Sequence, residues 1–221
     1  KMILLSSRLN QIRSKLRPNV RLIAVSKGQT VEKIWQAVQA GQIDFGENYA
    51  QELLGHYTPS LRWHFIGHLQ RNKVRSIIDK VTLIHSVDSP SLATEINKQA
   101  AKIGKRQDIL IEVALATQLS SEQEKSGVSE EELFALVSHC NQLEAVRLCG
   151  LMTVPPFQEE PEKVRPYFAK LRNLRDEINR KTLYKEPLTE LSIGMSHDFE
   201  VAQEEGATMV RIGTAIFGER S

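Results

Sequence analysis

No apolar run in this chain approaches the ~20 residues that cross a bilayer. Its opening run, Met2-Ile-Leu-Leu5, is too short for a signal-peptide core and passes at once into Ser-Ser-Arg in a helical period. Cysteine is scarce: Cys140 and Cys149 are the two in 221 residues, and they make no metal-ligand spacing. Both lie in regular-looking stretches, which predicts buried free thiols and a reducing cytoplasm. Excess charge is also missing, since a net +2 leaves no dominant polyanionic partner. Aromatics are few, 6%, and not spaced as a nucleic-acid stacking platform. There is no linker or break in composition, so a second domain is not expected. These absences predict a cytoplasmic, monomeric, single-domain protein that meets neither membrane nor nucleic acid. What is present, 41% hydrophobic and 25% charged residues, is ordinary for a globular chain.

The hydrophobic pattern switches repeatedly between periods of two and 3.6. Leu5, Leu9, Ile12 and Leu16 mark a first helix. Strands follow at 20–27, 43–47, 62–66, 81–87, 108–113, 145–152, 190–193 and 209–212. Helical stripes lie between them, with cap signals at Thr30 and in Ser129-Glu-Glu-Glu132, a capping box. Strand–helix alternation implies parallel strands joined by crossovers. Eight such units in one unbroken stretch predict an α/β fold, a single (β/α)8 TIM barrel over residues 1–221 with an extra N-terminal helix.

The stretch Val20-Arg-Leu-Ile-Ala-Val-Ser-Lys27 reads as the first strand, ending on a lysine. Ile23, Val25 and Lys27 share a face, so the lysine stem lies over core and its amine at the rim. Loss of solvation favours the neutral amine, which attacks carbonyls; the plain alternative is a strand-end lysine reaching for water. Barrel chemistry sits at the carboxyl ends of strands, with phosphate often held after strands seven and eight. Here those ends read Gly194-Met-Ser-His-Asp198 and Arg211-Ile-Gly-Thr214. Each offers backbone N–H groups, a hydroxyl (Ser196, Thr214) and a glycine that lets an anion approach. A Schiff-base lysine opposite a phosphate site suits pyridoxal 5'-phosphate (PLP) or a phosphorylated sugar.

Eight motifs then come in order: Ala24-Val-Ser-Lys27, Phe45-Gly-Glu-Asn48, Trp63-His-Phe-Ile-Gly-His-Leu-Gln-Arg-Asn-Lys73, Ile84-His-Ser-Val-Asp88, Lys125-Ser-Gly127, Gly150-Leu-Met-Thr153, Ser192-Ile-Gly-Met-Ser-His-Asp198 and Arg211-Ile-Gly-Thr-Ala-Ile-Phe-Gly218. Across nearly the whole chain this resembles the YggS/PROSC family of PLP-homeostasis proteins, whose fold is that of the alanine racemase barrel domain. The family's Ser-Met-Gly-Met-Ser reads Ser-Ile-Gly-Met-Ser here, with Ile193 a volume-conserving swap. The resemblance implies PLP held as a Schiff base on Lys27. It implies phosphate contacts from Ser196, Gly213 and Thr214, and ring contacts from Asn48 and Met152. Arg211 falls beside the pyridine nitrogen or the phosphate, and the sequence leaves both open. The implied role is to buffer PLP or deliver it to apo-PLP enzymes, without turnover of its own.

Two enzyme readings compete. A PLP-dependent racemase or decarboxylase needs a second acid/base on the far side of the ring; in alanine racemase another domain and a partner subunit supply it, and the 221 residues are expected to hold no such domain. An arginine at the ring nitrogen would also weaken the electron sink. A Schiff-base aldolase on a phosphosugar uses the same lysine and loops but binds no chromophore. His64, His68 and His85 are expected at a polar rim, as are Asp44 and Glu47. Arg71, Lys73 and Arg75 are expected on a solvated helix face. No catalytic residue and no metal site are predicted.

Overall fold

Eight parallel strands pair in chain order and close on themselves: β1 (Arg21–Val25), β2 (Asp44–Glu47), β3 (Arg62–Phe65), β4 (Val81–Val87), β5 (Gln107–Glu112), β6 (Val146–Met152), β7 (Glu190–Ser192) and β8 (Met209–Ile212). The computed structural model describes residues 4–115 and 126–219. Lys125, which opens one of the motifs above, lies outside them. The expected (β/α)8 barrel is the observed fold. Helices α1 (Leu5–Lys15), α2 (Val31–Gln39), α3 (Ala50–His56), α4 (Arg71–Ile77), α5 (Pro90–Lys102), α6 (Glu130–Asn141), α7 (Arg165–Arg180), α8 (Phe199–Glu204) and α9 (Thr214–Phe217) surround it. Among the described residues no helix is long and apolar enough to cross a membrane.

Local signals set these elements. The Thr30 hydroxyl accepts from the Lys33 amide and opens α2, and Gly41 ends the turn after it at φ +83°. Ser129 and Glu132 form the full capping box of α6. Residues facing outward from the strands, such as Leu22, Phe45, Trp63, Phe65, Ile109 and Val210, pack under the helices in one continuous core. Fully burying each large side chain stabilises the fold by roughly 1.5–3 kcal/mol. Cys140 lies in this core on α6 and Cys149 is half-buried on β6; both are free, and burial pushes each thiol up to about 12.

The barrel interior is divided. Ile23, Leu83, Leu110, Met152 and Met209 form a small apolar cluster on β1, β4, β5, β6 and β8. Asp44, His64, His85, Ser192 and Arg211 supply polar side chains from β2, β3, β4, β7 and β8, and all are buried. The register pairs Ile23 with Arg211 across the β1–β8 seam, so the two halves of the interior meet there.

Five strands, β2, β3, β5, β6 and β7, shift by one residue at one end or both, and two elements differ by more. Strand β1 ends at Val25, not Lys27, because Gly28 takes φ +68° and the Gln29 amide closes a turn on the Ser26 carbonyl at 2.9 Å. The residues after β8 also form a short helix, α9, where only a tail was expected. Its Ile216 and Phe217 are buried, and Gly218 stops it at φ +85°.

Candidate functional site

The turn carrying Lys27 is pinned from below and from the side. The Ser26 amide donates to the Gly46 carbonyl at 3.0 Å, and its hydroxyl to Glu47 Oε1 at 2.5 Å. The Gly28 amide donates to Glu52 on α3 at 2.7 Å. Lys27 is therefore held at the carboxyl end of β1 although it lies beyond the strand. It is half-buried, and its Nζ sits 5.0 Å from the centre of the Tyr49 ring. Half-buried Asn48 precedes that tyrosine on the loop after β2.

The loops after β7 and β8 are joined, because the Ala215 amide donates to Ser196 Oγ at 3.3 Å. Gly194 makes the approach to Ser196 possible: at φ +96° a Cβ there would lie 2.6 Å from that of Ala202. Asp198 fastens the same turn by accepting the Met195 amide at 2.7 Å; burial pushes its carboxyl up despite that bond. Gly213 backs onto β1, where a Cβ would sit 3.4 Å from Val25 Cβ, so the β8 loop adjoins the strand leading to Lys27. Among the described residues the amides of Ser196, His197, Gly213 and Thr214 donate to no protein oxygen. Four free donors on two joined loops make a cradle that fits a phosphate group.

Below this cradle lies Arg211, 4% exposed. Its Nη1 donates to the Ser192 carbonyl at 2.7 Å and to Ser192 Oγ at 2.5 Å, and its Nη2 to the Thr153 carbonyl at 3.1 Å. Thr153 follows Met152, whose side chain lines the interior, so β6, β7 and β8 converge on the guanidinium. Burial lowers Arg211 to about 10, with Glu112 and Asp198 opposing, and it remains cationic at neutral pH.

His64 and His85 are not at a polar rim, as the sequence reading expected; both are buried inside the barrel. Ser192 Oγ lies 2.8 Å from His85 Nδ1, His85 Nε2 lies 3.0 Å from His64 Nδ1, and His64 Nε2 lies 2.9 Å from Asp44 Oδ1. Asp44 also accepts from Arg62 Nε and Nη2, at 2.9 and 2.6 Å. Burial drives both imidazoles below their usual range, His85 the further. Burial pushes the Asp44 carboxyl up, but hydrogen bonds from His64 and Arg62 outweigh it and hold the group below the ordinary value. Glu47 too is buried rather than at the rim: burial raises its carboxyl against hydrogen bonds from Ser26 and His56. His68 stays exposed, 3.4 Å from Asp88, and Arg71, Lys73 and Arg75 are exposed as expected.

Three interior groups escaped the sequence reading. Glu112 ends β5 inside the barrel, accepts from Ser126 Oγ at 2.7 Å, and is raised by burial. Alternation within β5 could have found it, since Ile109 and Ile111 face the outer core. Ser86 is fully buried, and among the described residues its hydroxyl has no hydrogen-bond partner. The β4–β5 register shifts between Ile84 and Val87, which sets both His85 and Ser86 opposite Leu110, and no periodicity signals such a bulge. Ser192 lies in a quoted motif, but only barrel closure reveals its contacts.

Residues 4–221 match the family described as alanine racemase, N-terminal domain. A relative from Aquifex aeolicus, named pyridoxal phosphate homeostasis protein, is 50% identical over 204 residues, which cover 90% of this chain and 87% of that one. PipY of Synechococcus elongatus PCC7942 has been solved without and with PLP, at TM-scores of 0.88 and 0.86. It is 36% identical, and the match covers 97% of this chain and all of PipY. An alanine racemase from Clostridium difficile shares the fold at TM-score 0.74 and 19% identity, with 98% of this chain matching 56% of that one. The chain therefore belongs to the alanine racemase N-terminal domain family and, within it, to the YggS/PROSC group of pyridoxal phosphate homeostasis proteins.

Proposed function

We propose that this protein binds PLP at the carboxyl ends of its strands and serves PLP homeostasis as a carrier. The observation that carries the reading is the PLP-bound structure of PipY, superimposable over nearly this whole chain. The cradle of unpaired amides beside Lys27 supports it independently. Bound PLP would supply an aldehyde that a lysine amine takes up reversibly as a Schiff base, and Lys27 is the residue assigned to this. Ser196, Gly213 and Thr214 would hold the phosphate through backbone N–H groups and hydroxyls. Asn48 and Met152 would flank the ring. Arg211 is assigned to the pyridine nitrogen, because its guanidinium is engaged deep between β6, β7 and β8 while the amides of the cradle lie on the loops above.

The carrier reading extends to a monomer that works in the cytoplasm and hands PLP to apo-PLP enzymes. The names of the curated relatives support a role in homeostasis rather than turnover. The deciding experiment is an absorption spectrum of the purified protein before and after borohydride, followed by peptide mapping. A visible band that borohydride abolishes, with the adduct on the Lys27 peptide, is the expected result. A protein that takes up no PLP ends the reading. Exchange of the amino-acid α-proton in heavy water tests the racemase alternative, and turnover in the usual range of ~1–10³ s⁻¹ would replace the carrier with an enzyme.

A further inference from the structure

Inside the barrel Arg211, Ser192, His85, His64 and Asp44 form one unbroken chain that continues to Arg62, and its ends fix the direction of every hydrogen bond. Arg211 and Arg62 can only donate, and the ionised Asp44 can only accept. Asp44 therefore accepts a hydrogen bond from His64 Nε2–H, which leaves Nδ1 of the neutral His64 ring bare. That bare nitrogen accepts from His85 Nε2, and the bare Nδ1 of His85 accepts the Ser192 hydroxyl proton. Ser192 then turns its lone pairs to Arg211. Any other arrangement of neutral rings sets two donors or two acceptors face to face.

We propose that Ser192, His85, His64 and Asp44 are positioning residues for Arg211, locking its guanidinium in the orientation that meets the ligand ring. The proposal rests on the PLP reading above. Among the described residues Arg211 makes no direct ion pair; Glu112 and Asp198 act on it only through space, and its guanidinium donates to the Thr153 carbonyl and to Ser192, where the aligned chain begins. Each donor points away from the guanidinium towards Asp44, and such chains polarise cooperatively in a low dielectric. Arg62 closes the chain at the foot of the barrel, where Asp44 borders a cleft of ≈ 320 Å³ lined also by Arg13, Arg17 and Gln42. The mouth and the foot are thereby connected through the interior.

Three variants and one measurement on the unaltered protein test this. Ser192→Ala and His85→Leu should each weaken PLP binding about tenfold or more, the loss expected for a hydrogen bond to a charged group. Both should also shift the absorption maximum of bound PLP. His85→Asn should restore most of the affinity and the spectrum, because its Oδ1 can accept from Ser192 in place of Nδ1. Long-range ¹H–¹⁵N correlation spectra of the wild type should show Nε2 protonated and Nδ1 bare in both rings. If the wild type binds PLP but Ser192→Ala and His85→Leu keep its affinity and spectrum, the positioning role is wrong and the functional reading stands. An Nδ1–H form in either ring overturns the proposal likewise. Should His85→Leu not fold, Ser192→Ala and the tautomer measurement decide alone. A wild type that takes up no PLP instead removes the functional reading, and this proposal with it.

Discussion

Lys27 makes no hydrogen bond among the described residues, and its main polarisable neighbour is the face of Tyr49 at 5.0 Å. A half-exposed cation over an aromatic ring contributes only ~0.5–1 kcal/mol. The turn beneath is held instead by Ser26, Gly28 and Glu52, through backbone and carboxylate contacts that do not involve the lysine side chain. Anchoring of the turn and chemistry of the amine are thus separable at this one residue. Lys27→Ala should keep the fold, with a stability change within about 1 kcal/mol, and lose the borohydride-reducible adduct entirely. Circular dichroism and mass spectrometry after reduction check both halves. An adduct that persists in the variant would move the anchor to another lysine, such as Lys73.

The loops after β7 and β8 act as one element because the Ala215 amide is held by Ser196 Oγ. That contact uses a lone pair of the Ser196 hydroxyl and leaves its proton for an incoming anion. Ser196→Ala combined with Thr214→Val should weaken PLP retention by about 1.5–3 kcal/mol for each hydrogen bond lost to the phosphate. Equilibrium dialysis measures this against a control at exposed Ser60. A loss no greater than the control's would reduce both hydroxyls to capping groups. At this scale the sequence was most legible where causes are local. Thr30, Gly41 and the Ser129–Glu132 box announced their helix ends, and alternation located all eight strands, β8 to the residue. It was least legible where the cause lies across the barrel. His64, His85 and Asp44 read as rim residues because each lies near the end of its strand. Only closure of the sheet brings β2, β3, β4 and β7 together and makes their polar residues partners. The bulge of β4 and the turn that ends β1 two residues early are backbone events without a hydrophobic period to betray them.

At the scale of the whole molecule, the interior chain couples fold stability to pH. His64 and His85 bind protons less readily in the folded barrel than in the unfolded chain, where an imidazole titrates near ~6.5. Below that value the unfolded state takes up protons that the folded state refuses, so stability must fall as pH falls. The stabilisation is fully present above the unfolded value and is lost as pH drops towards the depressed folded values. Two such groups give a slope of at most about 2.7 kcal/mol per pH unit. Asp44, held below its ordinary range, extends the loss to still lower pH. Glu47, Glu112 and Asp198 act with the opposite sign, since burial raises each and the folded state accepts their protons first. Their effect sets in as pH falls through their raised folded values and offsets part of the imidazole loss between about pH 6.5 and 5. Urea unfolding of the wild type should therefore show a loss of stability across that window, shallower than the two-imidazole limit. His64→Gln combined with His85→Asn should flatten the slope, whatever its stability at pH 8. A double-variant profile with the same slope as the wild type's from pH 6.5 to 5 would mean that the two rings take up protons inside the barrel, and that the chain from Arg211 to Asp44 is broken by acid without cost to the fold.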